Sequence, residues 1–446
     1  MNDLNAKKSK NFCAENVAEL YLNDVKDSIK KVCSFKSVQE APVGNMPFGE
    51  EVAKALDYML SLGKSFGFKA VNYDNYVGEI VWEGTEDGKN AKTLGVLCHL
   101  DVVKPGRLSD WESDPFTPEE RDGRIYARGA TDDKGPAVVS LYMMKALKDS
   151  GFTPRHTVKL ILGCNEETGW ACMEHYKKVA KMPDFGFSPD GDFPVLYAEK
   201  GIFAPTFEFD CSDKIKIAEG GEMVNVVCDY AYCIAPVNDE LLKKHGLKLN
   251  GEKIESTGLA AHGSTPEKGK NAIAPLIAYL ADMNLLDKKV YDFLFADCLG
   301  LKKVSDETGF LTMSPDILRA ENGKMRISVD FRYPATLPPT FITEAADKIG
   351  KYDKEKAKHQ LPLFNDRNSF LIKTLLNIYN EESGENETPK AIGGGTYARA
   401  LPLGAAFGPE MKGEDARIHQ PNEFISIKCI EFLCRTYFRA IKELSE

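Results

Sequence analysis

The stretch TVKLILGCNEE, residues 157–167, decides the fold. It opens on an apolar run rich in strand formers, and two glutamates, Glu166 and Glu167, close it. A short apolar run bounded by turn residues predicts a buried strand, with both carboxylates at its carboxyl end. Burying one unpaired carboxylate is costly and burying two is worse, so something in the fold must answer that charge. Upstream, TLGVLCHLDVV (93–103) predicts a second buried strand. Helical spacing appears at 50–66 (Val52, Leu56, Met59, Gly63), at 135–151 before Gly151 and Pro154 stop it, and at 172–181. Strands alternating with helices predict an α/β layer, a mainly parallel central sheet flanked by helices. Sites in such sheets form at the carboxyl ends of the strands, where HLD (99–101) and NEE (165–167) both fall.

The middle of the chain changes character. Residues 271–286 predict a helix and ENGKMRISVDFRYP (321–334) a hairpin strand, a mixture that predicts an α+β insert over 200–362. Helical patterns at 369–382 and 425–444 return the chain to the first layer. The expected organisation is therefore 1–199 and 363–446 as two parts of one domain, with 200–362 inserted. A length of 446 residues agrees with two domains, because single cores stop growing at about 250–300 residues.

Composition bounds the function classes. A net charge of −10 argues against DNA or an anionic membrane as the main partner, and its simplest role is solubility. The start, MNDLNAKKSKNF, has no apolar core of a signal peptide, and no run approaches the roughly 20 apolar residues of a membrane span. Eleven cysteines without a CxxC pair suggest a cytoplasmic chain with reduced thiols that pack rather than bind metal. No P-loop or GxGxxG string suggests a nucleotide. GGGTYAR (393–399) lacks a third glycine at the right offset, and no clear strand is predicted before it.

The chemistry gathers in histidines and carboxylates. His99 and Asp101 stand two apart, so on a strand they share a face and can meet, although HxD alone better fits a histidine hydrogen-bonded at a sheet edge. Asp132 and Asp133 precede the 135–151 helix; one acid suffices for a cap, and a carboxylate can also bridge two cations. Asp190 and Asp192 follow another short apolar segment in a Pro-Asp-Gly turn, and His419 precedes the last helix. Each signal alone is ordinary. Together they form a nitrogen- and oxygen-rich set suited to zinc, manganese or cobalt. The other histidines, His156, His175, His245 and His359, are assigned to the surface.

At this point the set resembles metallopeptidase family 20, the dinuclear zinc group with aminoacylases, glutamate carboxypeptidases and carnosinases, and within it the bacterial PepV-type dipeptidases. The strings that carry the resemblance span nearly the whole chain in family order. They are HLDVV, SDPF (113–116), DGRIYARGATDDKGP, NEETGW, FSPDGDFP, AAHGS (260–264), DFRYP (330–334), GGGTYAR and IHQPNE (418–423). The resemblance implies a zinc-peptidase catalytic domain with an inserted, ferredoxin-like lid. It implies two divalent metal ions, zinc first, with manganese or cobalt as alternatives. His99, Asp132 and Asp190 would hold one ion; Asp132, Glu167 and His419 the other, with Asp132 bridging. Asp101 would orient His99, and a cis peptide would join Asp132 to Asp133. Glu166 would be the general base and His262 the group that steadies the oxyanion. Arg332 with the glycine loop (Gly394, Gly395, Thr396) would grip the substrate's carboxylate, and Asn225 is a weaker carry-over that orders the lid.

The expected reaction is hydrolysis of a dipeptide by a metal-activated water, in a monomer whose long insert supplies its own His262. An N-acyl amino acid deacylase or desuccinylase would use the same site. A catalytically silent metal-binding relative should lack a ligand or the base, and this sequence lacks neither.

Overall fold

The computed structural model describes residues 13–446. The chain forms two compact units. The first comprises the chain up to Tyr197, Asn365–Lys390 and Thr396–Glu446; the second comprises Ala198–Phe364 and Ala391–Gly395.

The first unit is built on a mixed sheet. Its strands lie side by side in the order Lys69–Tyr73, Val77–Trp82, Thr157–Gly163, Thr93–His99, Phe185–Ser188 and Gly404–Ala406. The last four are mutually parallel, and the Lys69–Trp82 hairpin adds to their edge antiparallel. Strand Thr93–His99 is buried from Leu94 onward, which is why it reads as continuous hydrophobicity rather than alternation. Backbones at the centre approach closely. A Cβ on Gly186 would stand 2.0 Å from the Gly95 carbonyl oxygen, so only glycine fits there.

Helices Ala14–Cys33, Lys134–Asp149 and Ile427–Ser445 pack together, and the latter two also pack against this sheet. Lys134–Asp149 is buried almost all round, as expected of a central helix, and Ala14–Cys33 buries Val17, Tyr21, Val25, Ile29 and Val32 at helical spacing. Helix Ala14–Cys33 and the edge hairpin were not anticipated from the sequence. A short strand, Lys390–Ile392, does precede the glycine loop, contrary to the sequence reading.

The second unit carries an antiparallel sheet. Its longest strands, Thr312–Glu321 and Lys324–Tyr333, form one hairpin through Asn322 and Gly323, both at positive φ as such a tight turn requires. Helices Ile273–Asp282, Lys288–Leu294 and Pro339–Ile349 bury their apolar faces in the core of this unit. Among the described residues, no helix is long and apolar enough to cross a membrane.

Candidate metal centre

Three neighbouring parallel strands deliver the predicted ligands of the first unit. His99 ends one strand and lies in register with Gly163, which ends the next. Glu166 and Glu167 follow Gly163 by three and four residues, and Asp190 lies two residues beyond Ser188 on the third strand. Strand order alone therefore collects residues from 99, 166–167 and 190 at one sheet edge.

The convergence is tight around Asp132. His99 Nε2 stands 2.9 Å from Asp132 Oδ1, and His419 Nε2 stands 2.8 Å from Asp132 Oδ2. One carboxylate thus offers a separate oxygen to each of two imidazoles. His419 Nε2 also lies 3.2 Å from Glu167 Oε1, and His99 Nε2 lies 4.0 Å from Asp190 Oδ1. The peptide joining Asp132 to Asp133 is cis, as the resemblance implies. Asp133 occupies the N-cap position of its helix without capping it; its Oδ2 accepts the His99 backbone N–H at 3.1 Å instead.

Asp101 acts through two different groups. Its main-chain carbonyl, not its carboxylate, receives His99 Nδ1–H at 2.9 Å; the nearer carboxylate oxygen is 3.7 Å away. That bond fixes the ring and points Nε2 at the acids, the nitrogen a ligand would use. The carboxylate accepts the backbone N–H groups of Glu166 at 3.0 Å and Glu167 at 3.1 Å. Two-residue spacing on a strand would bring the two side chains together, but the turn after the strand directs the carboxylate to the NEE loop.

Charge is the dominant property of the pocket. Burial disfavours a charged His99 ring, but its bond to Asp132 and the fields of Asp132, Asp190 and Asp101 outweigh this and raise its pKa well above the usual value. His419 likewise overcomes burial through Asp132 and Glu167 and rises to about 11. Burial, then the Asp190 charge, pushes Glu166 well above the ordinary carboxylate range, and burial lifts Asp190 to about 7. The pocket therefore stabilises positive charge at the two Nε2 positions; against burial, His419 and His99 hold Asp132 below the usual carboxylate range, while Glu166 and Asp190 resist ionising. One ligand atom from each of His99, Asp132 and Glu167 lies within 4.8 Å of the others. This hard oxygen and imidazole set, in a field that selects cations, fits divalent metal ions.

Sequence reading missed several residues that hold this centre. Trp170 Nε1–H donates to Glu166 Oε1 at 2.9 Å, and the Tyr397 backbone N–H donates to Asp190 Oδ2 at 3.1 Å. Buried Arg128 and Glu423 form an ion pair of 2.6 Å. Their signals were faint: Trp170 lies four residues after Glu166, and Glu423 lies four after His419.

The second unit holds its own cluster. His262 is exposed, and its neighbour Val226 bridges to it across an antiparallel pair. The Ser264 backbone N–H donates to His262 Nδ1 at 3.1 Å, a bond that leaves the proton of a neutral ring on Nε2. Desolvation, then the Arg332 charge, lowers the His262 pKa and favours that neutral ring. Asn225, at φ 82°, accepts the Gly263 N–H through its carbonyl at 2.6 Å and so sets the backbone beside His262. Arg332 is more engaged than its sequence suggests. Its guanidinium makes a two-pronged contact with Asp330, Nε and Nη2 each 2.9 Å from Oδ2, while Nη1 donates to the Gly393 carbonyl at 3.0 Å. The same bond ties Arg332 to the glycine loop, in which a Cβ on Gly394 would meet the Ile392 side chain at 3.7 Å and Gly395 is exposed. Thr396, in the first unit, is buried, and its Oγ1 accepts the Ala398 N–H at 3.2 Å. The four histidines assigned to the surface are half-buried there, each beside its own partner: His156 with Glu86, His175 with Asp74, His245 with Asp282 and His359 with Tyr333.

Residues 95–443 match the family model described as Peptidase family M20/M25/M40. The chain is 35% identical over 433 residues to "Putative dipeptidase YtjP" of Bacillus subtilis (strain 168), an alignment covering 90% of this chain and 92% of the relative. Two solved structures share the fold. The di-peptidase Dug1p from Saccharomyces cerevisiae has a TM-score of 0.59 at 15% identity, covering 97% of this chain and 98% of its own. Human carnosine dipeptidase 1 has a TM-score of 0.56 at 14% identity, covering 97% and 99%. On the match over most of its length and the identity to YtjP, the chain belongs to peptidase family M20/M25/M40.

Proposed function

We propose that the protein is a metal-dependent dipeptidase with two divalent ions per chain, zinc first among the candidates. The observation that carries this reading is Asp132, whose two oxygens face His99 and His419 separately at 2.9 and 2.8 Å. His99, Asp132 and Asp190 would hold one ion, and Asp132, Glu167 and His419 the other. Bound ions supply Lewis acidity, polarising the scissile carbonyl and making water a better nucleophile at neutral pH. The substrate class is supported by the word dipeptidase in the name of the 35%-identical Bacillus relative.

The chain's own residues supply the proton transfers and the grip. Glu166 takes a proton from the attacking water and returns it to the leaving amine. Asp101 anchors the backbone of Glu166 and Glu167, and Trp170 fixes the Glu166 Oε1 atom. His262, with its proton on Nε2, donates to the developing oxyanion, where a preorganised donor acts most strongly. Arg332, held by Asp330, and Gly394, Gly395 and Thr396 receive the substrate's carboxylate, while Asn225 keeps the His262 segment in place. We assign 200–362 as the lid that brings His262 from the same chain, so a monomer suffices. A cytoplasmic location is supported by eleven unpaired cysteines, most of them buried.

Two results check this. Trp170→Phe removes one hydrogen bond to the base while keeping an aromatic ring; kcat should fall about ten-fold, equivalent to about 1.4 kcal/mol. Steady-state kinetics should show KM unchanged within two-fold, and a fall in metal content instead would refute this role. A panel of unblocked dipeptides against N-acetyl and N-succinyl amino acids tests the substrate class. Turnover should favour dipeptides, and a preference for the acylated amino acids would assign the same site to deacylation.

A further inference from the structure

We infer that Glu423 is a positioning residue for metal binding, acting through Asp132 and His419, and that Arg128 is its partner. The inference rests on the metal-site reading above. The Glu423 carboxylate is fully buried and accepts three backbone N–H groups from one loop: Gly129 at 3.1 Å, Thr131 at 3.1 Å and Asp132 at 3.2 Å. Converging amides of this kind form an anion-binding nest. Here the anion comes from a residue some 290 positions away in sequence, and it sets the backbone from which the Asp132 side chain projects.

The same pair holds the other ligand. Arg128 Nη1 meets Glu423 Oε2 at 2.6 Å, and Nη2 donates to the Gln420 carbonyl at 3.2 Å, one residue beyond His419. The guanidinium also stands 5.2 Å from the Trp111 ring. The segment so tied is conformationally demanding. Arg417, His419 and Asn422 have φ of 57°, 62° and 63°, the left-handed region that residues with a Cβ disfavour. Further ties close the two segments on each other, from Ala127 N–H to the Glu423 carbonyl at 3.1 Å and from Thr131 Oγ1–H to the Phe424 carbonyl at 2.6 Å. Glu423 and Arg128 therefore place Asp132 and His419, 287 residues apart in sequence, on a common support. A support that orients ligands governs metal affinity, and losing one typically costs about 10–100-fold.

The test is metal affinity of the stripped full chain, measured by competition with a chromophoric chelator for zinc and cobalt. Near-UV circular dichroism reports the folded fraction, and the visible spectrum of the cobalt-loaded protein reports ligand geometry. Glu423→Gln should bind both metals about 10–100-fold more weakly and alter the cobalt spectrum. This change leaves the Arg128 charge buried without a partner and can unfold the chain. The double variant Arg128→Met with Glu423→Gln removes both charges, and Arg128→Lys keeps the charge while losing the two-directional fork; both should weaken binding too. Folded variants with wild-type affinity and an unchanged cobalt spectrum would overturn the inference and make the pair a structural tie only. Failure of the wild-type chain itself to bind either metal would instead overturn the metal-site reading.

Discussion

Glu166→Gln should lower kcat by about 10²–10⁴-fold, the contribution of a well-placed general acid–base. The substitution is close to isosteric, and the new amide oxygen can still accept the Trp170 indole N–H that now reaches Oε1 at 2.9 Å. The backbone N–H of residue 166 still reaches Asp101 at 3.0 Å, so the loop should hold its shape. What disappears is the ability to take and return a proton. Glu166 is not one of the five side chains proposed to hold metal (His99, Asp132, Glu167, Asp190 and His419), so metal content should stay at the wild-type value. Steady-state kinetics with elemental analysis of the same sample separates the two roles. Near-normal turnover would refute the base assignment, and loss of metal would make Glu166 a ligand.

Metal loading should raise thermal stability as well as switch on activity. Asp132, Glu167, Asp190 and Glu166 crowd one pocket, and burial already pushes Asp190 to about 7 and Glu166 well above the carboxylate range. Ions that bind the folded chain relieve this repulsion. At a free concentration 100-fold above Kd, binding adds about 2.7 kcal/mol. For a domain of this size that is a rise in Tm of roughly 5–10 °C, read by thermal melts with and without metal. The effect should shrink as pH falls, because protons then compete for His99, His419 and the carboxylates. An unchanged Tm on adding zinc, manganese and cobalt would contradict a buried metal centre.

The sequence made the sheet and the gathering of acids and histidines at its strand ends legible for one reason. Continuous apolar runs such as 93–99 and 157–163 mark doubly covered parallel strands, and a parallel sheet collects whatever follows them. The N-terminal helix was also written in its pattern, with Val17, Tyr21, Val25 and Ile29 four residues apart, but the polar residues around this narrow stripe mask it. The supports were not legible, because their meaning lies in contacts distant in sequence. Arg128 and Glu423 are 295 residues apart, and neither carries a signal that points to the other. Arg332 shows a different limit: its residue type suggests a free fork, but only the strand face reveals Asp330 two positions back on the same side. Asp101 shows a third, since residue spacing cannot say whether a carboxylate or a main-chain carbonyl orients an imidazole.

The most direct measurement is dipeptide turnover as metal is returned to the stripped chain in counted equivalents. The account predicts no turnover in the stripped protein, and recovery that levels off at two equivalents of zinc, manganese or cobalt. Full turnover after complete removal of metal, or no turnover at any loading, would contradict it.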